Sequence, residues 1–319
     1  MNSAKRNSMT GSIMLLIAAF IWGTAFVAQS QGMEYIGPFT FNTVRNYIAS
    51  IVLIPLVFIM RRIQPADSYQ QQNRGSHKDT IIAGICCGSM LFFASSFQQI
   101  GLKYTSVGKA GFITTFYVII IPVLGIFMGR RIGIKVWISL IAAVAGLYLL
   151  CMSNGFEGIS RGDFYVLVSA FCNAFHILVI DHFSPHIEGV KLSCIQFFVC
   201  AVISTIPMLV IEAPALSGII KSMYPILYTA VLSSGVAYTL QILAQRRTEP
   251  VITSLIMSLE SVFSVLAGWV VLHERLSANE TLGCIIVFGA VILAQIPERY
   301  LFKSKQSRSS SKIKTEDII

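Results

Sequence analysis

The chain has 319 residues, 55% of them hydrophobic and 12% charged, with a mean hydropathy of +0.71 and a formal net charge of +9. Soluble domains carry about 25% charged residues, and half that share cannot cover a water-facing surface, so composition excludes a soluble globular protein and points to an integral membrane protein. The seven cysteines are an odd number, lie mostly inside apolar runs and form no Cys-x-x-Cys pair, which excludes a complete disulfide framework and gives no metal or redox motif.

A bilayer core is crossed by about 20 apolar residues in helical conformation. With that ruler the chain divides into ten spans, near 10–29, 38–60, 80–101, 107–128, 133–152, 163–181, 190–211, 219–241, 250–272 and 278–296. Lys5 and Arg6 precede the first span as they would a signal peptide, but cleavage would leave an odd set of spans and spoil the repeat described below, so the span is expected to be retained. It carries Trp22 at mid-depth, where an indole N–H needs a partner. The second span carries Arg45, roughly 10 Å below the outer boundary. From there it either snorkels to the headgroups or forms an electropositive spot in a cavity, suited to a carboxylate-bearing substrate such as an amino acid.

The third span brings "GICCG" (84–88) and Gln98, and the fourth Tyr117, Pro122 and "GIFMG" (125–129). Small residues four apart allow close helix approach, within a bundle of this size more readily than at a homodimer face, which stays open. The sixth span holds Asn173 and, one turn on, His176, either a hydrogen-bonded core residue or a proton relay. His182 and His186 have i, i+4 spacing, but Pro185 lies between them and no glutamate completes a metalloprotease pattern. No metal site is expected. The eighth span supplies Tyr238 and Gln241.

The ninth span contains "TSLIMSLESVFSVLAGWVV" (253–271), interrupted near its middle by Glu260. Its Cα lies roughly 15 Å from the cytoplasmic boundary. A charge there costs on the order of 2.5–3.5 kcal/mol on insertion scales, and the depth rules out snorkelling. Glu260 therefore either lines a wet cavity, where it can gain and lose a proton, or sits neutral between helices as hydrogen-bonded packing. An ion pair with Arg45 is left open. Trp137 and Trp269 fall near span ends, as interfacial residues do. The polar, Ser/Lys-rich tail over 297–319 is expected to be disordered.

With the N-terminus inside, 18 of the 24 Lys and Arg fall in cytoplasmic pieces and 5 in outer ones. That bias places both termini in the cytoplasm and accounts for the net charge without nucleic acid. The basic tail either marks topology only or also touches anionic headgroups.

The stretch from Lys103 to Leu150 aligns without gaps on that from Arg246 to Leu293, at an offset of 143 residues: Thr105 meets Thr248, Tyr117 meets Glu260, Gly125 meets Gly268 and Gly146 meets Gly289. Gln98 meets Gln241. "AAFIWGTAF" of the first span meets "SAFCNAFHI" of the sixth at an offset of 151. The expectation is an all-α membrane protein of two five-helix units, 10–152 and 161–296. Five is odd, so the second inserts from the opposite side. In such inverted repeats the substrate site lies near the midplane at the repeat interface. Trp22, Tyr117, Gln98, Tyr238 and Gln241 are placed around that cavity, with Arg45, Asn173, His176 and Glu260.

The ten spans, the duplication, "AAFIWGTAFV", "FNTVRNYIAS" and "SLESVFSVLAGWVVLHERL" resemble the EamA-type permeases of the drug/metabolite transporter superfamily over nearly the whole chain. Such permeases often have Pro just after the ninth-span Glu. Here Ser261 follows, which puts a helix break there in doubt. The resemblance implies export of small metabolites, amino acids or drug-like solutes from a prokaryotic cell across its plasma (inner) membrane, with proton coupling or facilitated diffusion both open. No cofactor is expected. No Walker A motif marks an ATP engine and no catalytic cluster is visible; the rival reading is a membrane enzyme or sensor acting on lipids.

Overall fold

The computed structural model describes residues 3–63, 76–105, 107–129, 132–151, 160–271 and 278–295. The basic tail lies outside them. Among the described residues all regular structure is helical. In the first half run α1 (Ser3–Gly32), α2 (Pro38–Ile63), α3 (His77–Leu102), α4 (Val107–Thr114), α5 (Tyr117–Phe127) and α6 (Ile134–Cys151). The second half has α7 (Arg161–Phe183), α8 (Gly189–Pro207), a π-helical turn (Met208–Glu212), α9 (Leu216–Lys221), α10 (Met223–Tyr228), a π-helical stretch (Thr229–Ala237), α11 (Tyr238–Gln245), α12 (Pro250–Met257), α13 (Leu259–Val271) and α14 (Ala278–Gln295).

Eight stretches of the described residues are long and apolar enough to cross a bilayer. The fifth and tenth expected spans fall on two shorter apolar stretches, Ile134–Leu149 and Thr281–Ala294, so length and composition establish eight. The outer surface is what lipid requires: Phe58, Ile81, Phe127, Ile141, Val210 and Ile285 are exposed, an apolar coat that water would not tolerate at this extent. The polar side chains turn inward instead, with Asn42, Asn46, Gln99, Gln196, Gln241 and Ser258 all buried.

Local chemistry starts the helices. Ser76 with Asp79 and Ser160 with Asp163 form capping boxes at α3 and α7, each satisfying otherwise orphaned amides. Pro250 opens α12 at a position where its missing N–H costs nothing. α3 packs on α7 and α8, α2 on α8, α6 on α14, and α1 lies against α11 and α13. Gly84 and Gly88 of "GICCG" serve this packing: a Cβ on Gly88 would stand 2.7 Å from the Gln196 carbonyl of α8.

Two helices are broken. α4 gives way to α5 at Thr115 and Phe116, and α12 to α13 at Ser258. At each break a hydroxyl bonds back to its own helix: Thr115 Oγ1 donates to the Phe112 carbonyl and Ser258 Oγ to the Leu255 carbonyl, both at 2.7 Å. Such back-bonding competes with the backbone ladder and bends helices. The doubt raised by Ser261 is thus resolved: the ninth segment does break, just before Glu260 and without proline, while Pro122 sits inside α5. The broken helices meet at their breaks, where Ser261 Oγ donates to the Gly111 carbonyl at 2.9 Å.

The ends of the bundle are joined by close contacts. At one end Gly162 packs on Gly101, Tyr104 and Thr105, and Ser222 Oγ donates to the Gly32 carbonyl. Elsewhere Gly11 packs on Ala244, Arg247 and Thr248, and Gly189 on Leu243.

Candidate functional site

Where α1, α2, α3, α7 and α11 surround the two breaks lies a polar cavity of about 40 Å³. A cavity of about 150 Å³ is what holds benzene, so this one has room for ordered water and not for a solute. All nine residues singled out from the sequence line it: Trp22, Arg45, Gln98, Tyr117, Asn173, His176, Tyr238, Gln241 and Glu260.

Arg45 is 5% exposed and does not snorkel. Its Nη1 donates to Gln29 Oε1 at 3.3 Å and its Nη2 to Asn42 Oδ1 at 2.9 Å. Its guanidinium lies 5.7 Å from the centre of the Phe41 ring. Nε has no partner. Every partner is uncharged; among the described residues no carboxylate pairs with Arg45.

Glu260 is likewise 5% exposed, in the first turn of α13. It accepts a hydrogen bond from Tyr117 OH at 3.1 Å, so the two positions matched across the repeat touch each other. No ion pair joins Glu260 to Arg45 among the described residues. The cavity thus holds one cation and one carboxyl group, each bonded only to neutral groups.

Aromatic side chains line the same cavity. Tyr238 stands edge-on to Trp22 at 4.7 Å and to His176 at 5.8 Å between ring centres. The Trp22 indole donates to the Ser233 carbonyl at 3.2 Å. That carbonyl lies in the π-helical stretch, whose wider turns interrupt the ordinary ladder and often mark functional sites. His176 Nε2 shares a hydrogen bond with Gln196 Oε1 at 3.1 Å, a core-like bond on a residue that also reaches the cavity. Asn173 Nδ2 donates to the Ser169 carbonyl at 3.1 Å and Gln98 Nε2 to Thr114 Oγ1 at 3.3 Å. Gln241 Oε1 has no partner.

The cavity also has lining residues that sequence reasoning missed: Phe26, Gln29, Thr114, Ile177, Ser233 and Met257. Phe26 and Gln29 follow Trp22 by one and two helical turns, so the helical period could have found them. Ser233 offers its carbonyl to Trp22, which no side-chain pattern announces. His182 and His186 do not line the cavity, and no group of three or more metal-ligating side chains occurs among the described residues.

Comparison with known proteins agrees with this architecture. A solved crystal structure superposes with a TM-score of 0.71 at 16% identity, covering 90% of this chain and 96% of that one. An uncharacterized transporter of Archaeoglobus fulgidus is 29% identical over 283 residues, which is 88% of this chain and 84% of the relative. The uncharacterized transporter YoaV of Bacillus subtilis is 22% identical over 88% of this chain and 94% of its own length. A WAT1-related chloroplastic protein of Arabidopsis thaliana is 24% identical over 89% of this chain and 69% of its own. One family model, that of the EamA-like transporters, matches twice, over residues 9–152 and again over 160–295. With both halves matched, the chain belongs to the EamA-like transporter family and is a multi-pass membrane transporter.

Proposed function

We propose that the chain is a secondary transporter that exports small carboxylate-bearing metabolites, amino acids among them, across a prokaryotic plasma membrane by alternating access. One observation carries the reading: Arg45 is a buried cation without an anionic partner, facing a cavity that also holds Glu260. A buried charge left uncompensated is costly, several kcal/mol by general experience. A substrate carboxylate would supply the missing countercharge, and its ammonium or neutral end would meet the Glu260 side of the cavity. Glu260 exchanges a proton during the cycle in this reading.

The architecture proposed is ten spans in two oppositely inserted five-helix units, with both termini cytoplasmic. Several pairings support it. α4 and α12 are both 8 residues long and coincide in sequence at the offset of 143, as do Thr115 and Ser258 at the breaks. Gly11 and Gly162 match at the offset of 151. Gly162 packs on Gly101, Tyr104 and Thr105, whereas Gly11 packs on Ala244, Arg247 and Thr248, which are the same three positions moved by 143.

The test is purified protein in sealed proteoliposomes, preloaded with labelled amino acids and small carboxylates, with efflux followed across a pH series. The reading expects efflux of at least one carboxylate, a loss of tenfold or more in Arg45→Ala, and no pH response in Glu260→Gln. Efflux unchanged by Arg45→Ala contradicts the binding role. The rival, an enzyme or sensor acting on lipid, is read in the same vesicles as chemically altered lipid with no solute movement.

A further inference from the structure

The two halves cap their second helices differently. At the start of α2 the Phe39 amide donates to Glu212 Oε1 at 2.8 Å, and the Thr40 amide and hydroxyl both donate to Oε2 at 2.6 Å. Glu212 is remote in sequence: it ends the π-helical turn after α8, in the other half. Moved by 151 residues, the same two amides are those of Val190 and Lys191. They donate to Glu188, at 3.0 Å to Oε1 and 2.8 Å to Oε2, and Glu188 is the residue just before α8 itself. The first-half position that matches Glu188 is Gly37. A Cβ at Gly37 would run into the Glu212 carboxylate.

One helix is therefore capped by its own chain segment, and its counterpart by a carboxylate borrowed across the boundary between halves, with a glycine clearing the space. A second pairing has the same asymmetry. Thr105 Oγ1 donates to Asp163 Oδ1 of the other half at 2.6 Å, whereas the matching Thr248 Oγ1 has no partner. Hydrogen bonds to a carboxylate are about twice as strong as neutral ones. Separating the halves at the α2 end must break them and uncap a helix together.

We propose that Glu212 is a latch that holds the cavity shut at the α2 end, two turns from Arg45, so that the resting transporter is closed to that side. This rests on the proposed topology for the statement that the side is the outer one. The cost of release falls on opening toward that side, which biases the cycle toward states reached from the opposite face.

The test places a cysteine at Gln29 in the full chain and follows its reaction with a membrane-impermeant thiol reagent, read at that position by peptide mass spectrometry. Reagent is applied to intact cells and to inside-out vesicles. Glu212→Ala is expected to raise labelling in intact cells at least fivefold. The double variant Gly37→Glu with Glu212→Ala recaps α2 in the manner of α8; it is expected to melt at the parent temperature yet label as fast as the single variant. Labelling that stays at the parent rate from both sides overturns the latch. So does a double variant whose labelling returns to the parent rate together with its stability, since Glu212 would then be a helix cap and nothing more. A rise seen only in inside-out vesicles leaves the latch standing and overturns the topology instead. If Glu212→Ala alone fails to fold, the recapped double variant decides.

Discussion

Arg45 is the residue on which the fold and the proposed function make opposite demands. A guanidinium bonded to two amides and one ring, with Nε unpartnered, contributes little to folding, because neutral partners do not repay the desolvation of a full charge. Arg45→Met is therefore predicted to change stability by no more than about 1 kcal/mol, the loss at the Gln29 and Asn42 amides being offset by removal of the buried cation. It is predicted to abolish carboxylate transport. A detergent melting curve beside a vesicle assay checks both, and a collapse in melting temperature would mark Arg45 as structural. Tyr117→Phe removes the hydrogen bond to the buried Glu260 and leaves its carboxyl oxygen without that donor, and is predicted to cost about 1–3 kcal/mol, with transport impaired by more than that loss of stability explains. These residues were legible in the sequence for one reason: lipid offers a charge or an amide no favourable surface, so Arg45, Glu260, Gln98 and Gln241 had to face inward. The Ser233 carbonyl was not legible, since it becomes available only through the local winding of its helix.

The same contrast holds for whole elements. The spans could be read from runs of apolar residues, and the pairing of α4 with α12 from glycine spacing and hydropathy. The break at Ser258 could not be read from a proline, because it is made by hydroxyl back-bonds and by the crossing of two helices, which depend on packing. Matched glycines also differ in ways the alignment conceals. A Cβ on Gly146 in α6 would lie 2.9 Å from the Gly283 carbonyl of α14, whereas a Cβ on Gly289, its partner in the repeat, would meet nothing within 4 Å. Gly146→Ala is predicted to destabilise by about 1–3 kcal/mol through overpacking. Gly289→Ala is predicted to be neutral or to stabilise by up to about 1 kcal/mol, through helix propensity alone. Paired melting curves check this, and equal effects would contradict the packing of α6 on α14. Gly23 is tighter and nearer the site: a Cβ there would stand 2.7 Å from the Glu260 carbonyl oxygen and 2.5 Å from Phe263 Cβ. Gly23→Ala should push α13 away and move Glu260, so transport should fall along with stability.

At the scale of the molecule, an apolar coat, a polar interior and two matched halves converge on a small polar cavity. The cavity of the described conformation holds about 40 Å³, too little for a solute, so the alternating access proposed above requires other conformations in which the halves part first at one end and then at the other. The latch at Glu212 and the close packing at Gly11 and Gly162 are the contacts such a cycle would break in turn. The measurement that bears most directly on this picture is two-sided access to Met257, which lines the cavity and is 3% exposed. A cysteine at that position is challenged with an impermeant thiol reagent from each face of oriented vesicles, with and without a transported carboxylate. Alternating access predicts reaction from both faces, with conditions that speed one slowing the other and with bound carboxylate protecting against both. Reaction from neither face, or from one face under every condition, would contradict a cavity opened by turns to the two sides of the membrane.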